Sequence, residues 1–124
     1  MINKVLGQQG EDIAAAYLEK NSYTIRERNF RYKSFGELDI VASKKGKVVF
    51  VEVKTRARPS DFCPEDQITP KKQKQLCKMA RIYLSAKKLP PDTPCQIDII
   101  AVELNGNGRI TALRHYHNAI EDAG

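Results

Sequence analysis

Val48-Val49-Phe50-Val51-Glu52-Val53-Lys54-Thr55 is the stretch on which the reading of this chain turns. Side chains alternate across a strand, so Val49, Val51 and Val53 share one face while Phe50, Glu52 and Lys54 share the other. The segment is too apolar for a half-wet outer strand and belongs at the centre of a sheet. Placing Glu52 and Lys54 there costs solvation unless each finds a partner. On these two residues alone, a plain ion pair near the strand end and a chemical role are equally open.

The preceding segment adds a second carboxylate. Gly36 opens Glu37-Leu38-Asp39-Ile40-Val41-Ala42, and Lys44-Lys45-Gly46-Lys47 turns the chain into an antiparallel hairpin. Alternation puts Leu38 and Ile40 on the apolar face and Glu37 and Asp39 on the opposite one. Closing the hairpin brings Asp39 beside Glu52. Two carboxylates on adjacent strands repel unless a cation lies between them. Oxygen ligands on a rigid hairpin suit Mg²⁺, or Mn²⁺ in its place. Lys54, two residues from a ligand, can orient an attacking water or balance transition-state charge. The pattern reads as metal-assisted phosphodiester hydrolysis.

Working outward, Leu6, Gly10, Ile13, Ala14, Tyr17 and Leu18 recur at helical spacing and predict a helix over 3–20. A strand rich in β-formers, edge-like in its loose alternation, is expected over 23–32. Residues 57–69 form a loop. Thr69-Pro70 then marks a helix start, with Leu76, Met79, Ala80, Tyr83 and Leu84 as its buried stripe. Leu89-Pro90-Pro91-Asp92 ends that helix. Strands follow over 96–104 and 109–115, joined by Asn105-Gly106-Asn107-Gly108. The order α-β-β-β-α-β-β implies one α/β domain over 1–124, with a central mixed sheet flanked by helices.

Composition narrows the partners. With 29% charged residues and no long apolar run, neither a membrane span nor a signal-peptide core is expected, and the chain reads as cytoplasmic. Cys63, Cys77 and Cys95 form neither a disulfide framework nor a zinc knuckle, and Cys77 and Cys95 read as small packing residues. The net charge of +6 favours polyanions, with no membrane partner expected. Between Gln67 and Pro91 every charged side chain is basic, a run that on its own is most often a solvated helix face. His115-x-His117 places two imidazoles on one strand face. With no third ligand in view, they read as an exposed tail rather than a zinc site. Asp98 reads as a strand residue bonding nearby backbone, and Glu37 as either a surface acid or an acid that supports the site from behind its ligands.

Gly36-Glu37-Leu38-Asp39-Ile40-Val41 and Phe50-Val51-Glu52-Val53-Lys54-Thr55-Arg56 together resemble the PD-(D/E)xK nuclease motif. With Gly10-Glu11, Arg28-Asn29-Phe30-Arg31, Thr69-Pro70-Lys71-Lys72-Gln73 and Ile97-Asp98-Ile99-Ile100, the chain is similar to the uncharacterised bacterial YraN family. That family's fold resembles archaeal Holliday-junction resolvases. The resemblance implies a restriction-endonuclease-like domain, Asp39 and Glu52 as metal ligands, and the Val53 carbonyl as a third. It also implies Lys54 as the catalytic lysine and Glu11 as an accessory catalytic acid from the first helix. The chain departs from the pattern at Cys63-Pro64, where many relatives carry Gly after the position of Phe62, in a loop expected to border the substrate groove.

The expected activity is a Mg²⁺-dependent endonuclease acting on structured DNA. A nucleic-acid-binding rim is expected from Arg56, Arg58, Lys71, Lys72 and Lys78. The rival readings are a non-catalytic nucleic-acid-binding module and an interaction protein in DNA processing. A homodimer is compatible with all three.

Overall fold

The computed structural model describes residues 2–57 and 63–121. Helix α1 (Ile2–Lys20) leads into strands β1 (Thr24–Arg31), β2 (Glu37–Lys44) and β3 (Lys47–Arg56). A short 3-10 turn (Pro64–Gln67) precedes α2 (Pro70–Ala86), and β4 (Cys95–Leu104) and β5 (Ile110–Tyr116) complete the chain. This is the expected order, in a five-stranded sheet β1-β2-β3-β4-β5. β3 pairs parallel with β4, and every other neighbouring pair is antiparallel. β1 is an edge and β3 is central, as the hydropathy of their sequences requires.

Local chemistry sets the turns. Lys44 faces Lys47, so Lys45 and Gly46 make a two-residue turn, with φ of 51° and 78°. Left-handed backbone at both positions matches the strand twist, and Gly46 adopts it without a Cβ clash. Thr69 caps α2 by accepting the Lys72 N–H at 3.2 Å, and Pro70 fills the first helical position, where no backbone donor is needed.

The sheet separates two cores. α2 covers one face, where Leu76, Met79 and Tyr83 meet Leu38, Phe50 and Ile97. α1 covers the other, where Ala14 and Leu18 meet Ile40, Val51 and Ile100. Leu38 and Ile40 therefore lie on opposite faces, contrary to the strict alternation expected of them. Their β1 partners, Phe30 and Arg28, diverge in the same way, Phe30 into the α2 core and Arg28 toward Glu11 and Asp12 of α1. Between those pairs stands Asn29, with a φ of 54° that rolls the two strands over at this point. Cys77 is buried as expected, whereas Cys95 is exposed where β4 opens rather than packed.

α1 approaches β3 so closely that only glycine fits at position 10. A Cβ there would stand 1.8 Å from the Thr55 hydroxyl and 2.8 Å from its Cβ. Gly10→Ala should therefore cost about 1–3 kcal/mol in urea unfolding, as overpacked cores do. An unchanged midpoint would mean that α1 can shift off β3. Among the described residues, no helix is long and apolar enough to cross a membrane.

Candidate functional site

The site forms where β2 and β3 part. Their ladder closes at Ile40 opposite Val51, which leaves the Val53 N–H beyond it in need of an acceptor. Asp39 Oδ2 supplies one at 2.8 Å. The roll of β2 at Asp39 brings its carboxyl to the sheet's end, within reach of groups from both faces. Glu52 adjoins it from the α2 face and Glu11 from α1.

Glu52 is only 4% exposed. Its Oε2 faces Lys54 Nζ at 3.9 Å and Lys72 Nζ at 3.4 Å, while Oε1 is buried without a hydrogen-bond partner. Asp39 suffers most from burial and next from the Glu52 charge, and its pKa is pushed up to about 8. The Val53 N–H and the Lys72 ammonium pull the other way. A proton is thus drawn into a place where the geometry offers oxygen ligands. An orphaned buried oxygen beside a carboxyl that resists ionisation fits a divalent cation, so Asp39 and Glu52 pass as ligands on chemical grounds.

A second cluster adjoins the first. Carboxylate oxygens of Glu11, Glu37 and Asp39 lie within 4.8 Å of one another. Asn29 Nδ2 donates to Glu11 Oε1 at 2.8 Å and to Glu37 Oε1 at 3.0 Å, tying α1 to β2. Arg31 Nε holds the other Glu37 oxygen at 2.6 Å. Burial is the main influence raising the Glu11 pKa, against the Asn29 hydrogen bond. Glu37 is therefore part of the acidic cluster, the second of the two places expected for it. Its place two residues before Asp39 was the available signal. Asn29 gave none beyond its tolerance of left-handed backbone.

The expected basic rim divides. Lys72 points its ammonium at Glu52, inside the site. Lys78 Nζ sits 4.1 Å above the Phe35 ring, near the β1–β2 turn. Lys71 is exposed at the start of α2, and Arg56 is half-buried at the end of β3. Arg58 lies outside the described residues. Val53 buries its side chain in the α1-side core and gives its N–H to Asp39. Pro64 of the Cys63-Pro64 departure is buried, in a turn packed against β3 and β4.

The imidazole pair divides: His117 lies past the end of β5 with an exposed side chain, as expected, and His115 does not. His115 lies in β5 with its side chain 5% exposed and meets Asp98, which also accepts the Asn118 N–H as a backbone-bonding strand residue should.

Comparison with known proteins finds a match over residues 10–102 to the model of the uncharacterised protein family UPF0102. A UPF0102 protein of Geotalea uraniireducens is 44% identical over 119 residues, covering 96% of this chain and 91% of its own. One from Chlorobium phaeobacteroides is 46% identical over 99 residues, covering 79% of this chain and 76% of the relative. One from Bacteroides fragilis is 42% identical over 113 residues, covering 90% and 91%.

Proposed function

The chain belongs to the uncharacterised family UPF0102, and from that premise we propose that it is a metal-dependent endonuclease hydrolysing phosphodiester bonds of structured DNA. The observation that carries this reading is the buried Glu52 with its unpartnered Oε1, set beside an Asp39 that resists ionisation. Asp39 meets the Val53 N–H, but nothing in the packing of β3 needs a second carboxyl beside it, and a hydrophobic side chain in place of Glu52 would avoid burying a charge.

A cation held by Asp39 and Glu52 would supply positive charge for the phosphate oxygens and lower the cost of nucleophile formation. The protein's own groups do the rest. Lys54 is placed by the strand to orient water or to meet charge developing on the phosphate. Lys72, from α2, holds Glu52 from the second side and keeps its carboxylate aimed. Glu11, anchored by Asn29, stands where it can take a proton from the entering water. The net charge of +6 favours a polyanionic substrate.

The test is a panel of single-stranded, duplex, flap and four-way-junction DNA with Mg²⁺ or Mn²⁺, read against an Asp39→Asn control. Cleavage by wild type alone is expected. Tight binding with no cleavage of DNA or RNA in any metal would hand the chain to the binding-module reading. Affinity should also fall with salt, each phosphate contact adding about −0.9 to the logarithmic slope on duplex. An affinity indifferent to salt would remove Lys71, Arg56 and their neighbours from the binding surface.

A further inference from the structure

Asp98 is fully buried on β4, opposite Val51 and on the α1 face of the sheet. A carboxylate without water needs its lone pairs met by protein donors. Oδ1 accepts from the Asn118 N–H and from Gln96 Nε2, both at 2.8 Å. Oδ2 is left to two imidazoles, with His115 Nε2 at 2.7 Å and His117 Nδ1 at 3.5 Å. The two rings stack with centroids 3.8 Å apart. On the far side of its ring, His115 Nδ1 lies 2.9 Å from the Tyr17 hydroxyl of α1.

We propose that Asp98, His115 and His117 form a zinc site, on the opposite face of the sheet from Glu52 and independent of the nuclease reading. Two imidazole nitrogens and a carboxylate oxygen are a donor set for zinc, whereas the all-oxygen cluster around Asp39 suits a harder ion. Ligand atoms around a tetrahedral zinc stand roughly 3.3 Å apart, given bond lengths of about 2.0–2.2 Å. The two contacts to Asp98 Oδ2, at 2.7 and 3.5 Å, bracket that spacing, so small side-chain movements suffice.

The surroundings are those of a prepared ligand set. Asn118 and Gln96 fix Asp98 through the oxygen that is turned away from the imidazoles. Tyr17 fixes the His115 ring from behind, as the outer partners of zinc-binding histidines do. When zinc takes the place of the proton on His115 Nε2, that proton moves to Nδ1. The Tyr17 hydroxyl then turns from donor to acceptor, and the proton count is unchanged. The His117 side chain is 60% exposed, which leaves a fourth coordination position open to water.

A metal-free Asp98–His115–Tyr17 chain that only ties α1 to the sheet accounts for those three residues. It has no need of His117, which makes His117 the discriminating position. The experiment is calorimetric titration of the metal-stripped full chain with Zn²⁺, and with Co²⁺ followed by visible absorption. One tightly held Zn²⁺ per chain, with the absorption bands of four-coordinate Co²⁺, is expected, apart from any weaker ion on the carboxylates around Asp39. His117→Ala should weaken Zn²⁺ binding by about 100-fold or more, since loss of outer partners alone costs about 10–100-fold. Its metal-free melting midpoint should stay that of wild type. Asp39→Asn should keep the tight Zn²⁺ site and its Co²⁺ bands, because Asp39 belongs to a separate, all-oxygen cluster. Absence of tight Zn²⁺ binding, equal binding by His117→Ala, or loss of tight binding in Asp39→Asn would each overturn the site. None of these outcomes depends on whether the protein cleaves DNA.

Discussion

Asp39→Asn should make the metal-free protein more stable at pH 9 than wild type, while removing its DNA cleavage. The sign follows from where the proton sits. In the folded chain Asp39 holds its proton up to about pH 8, whereas the unfolded carboxyl releases it near its ordinary value of 3.8. Between those values the native state binds more protons than the unfolded state. Stability therefore falls as pH rises through that window and levels off above it. Each unit of pKa difference corresponds to about 1.4 kcal/mol, so the accumulated cost is on the order of a few kcal/mol. Asparagine cannot ionise, yet its carbonyl can still accept the Val53 N–H. Urea unfolding in chelator at pH 5 and pH 9 should show a falling midpoint for wild type and a flat one for the variant. Added Mg²⁺ should recover wild-type stability, by about 2.7 kcal/mol at a hundred times its dissociation constant, and leave the variant unmoved. Parallel pH profiles for the two proteins would mean that Asp39 ionises freely and that the site holds no stored repulsion.

Such a cost is what the proposed cation site would carry without its ion, and only half of that site was legible from the residues in order. The strand Val48–Thr55 announces its place because its apolar content leaves nowhere but the centre of a sheet. Lys45-Gly46 and Thr69-Pro70 announce their turns because left-handed backbone and capping are local requirements. The pairing of Asp39 with Glu52 could be anticipated because a hairpin is local too. Other features arise only when distant elements meet. Whether Lys72 faces solvent or Glu52 depends on the rotational setting of α2 over the sheet, which helical periodicity does not determine. The separation of Leu38 from Ile40 depends on Asn29, on a neighbouring strand. The spacing of His115 and His117 pairs the imidazoles, but Tyr17 is 98 residues from His115 in sequence and hydrogen-bonded to it in space, and no spacing rule could bring Tyr17 and Asp98 to that pair. The motif names the carboxylates, and the third dimension names the groups that hold them.

Lys54→Ala should leave the fold and most DNA affinity in place while cutting the cleavage rate by about 10²–10⁴-fold, the usual contribution of a positioned group that assists proton transfer. The ion pair it loses is long, 3.9 Å, with the lysine side chain 26% exposed. Glu52 is not left without a cation when Lys54 goes, because Lys72 still faces it at 3.4 Å. Stability therefore gives no reason for an activity loss. DNA affinity gives little more, because one ammonium among many basic groups adds a single phosphate contact. On the proposed reading, what would disappear is an interaction with the water and with charge developing at phosphorus, which would lower the barrier without tightening the ground state. Lys72→Ala is the informative companion. It should weaken metal binding through a less well-held Glu52, so that higher Mg²⁺ restores part of its rate, whereas no concentration of Mg²⁺ should restore Lys54→Ala. Single-turnover cleavage at saturating enzyme, across a Mg²⁺ series, separates the two. Rescue of Lys54→Ala by metal would demote Lys54 to a charge-balancing partner of Glu52, and a wild-type rate in that variant would place the chemistry on other residues altogether.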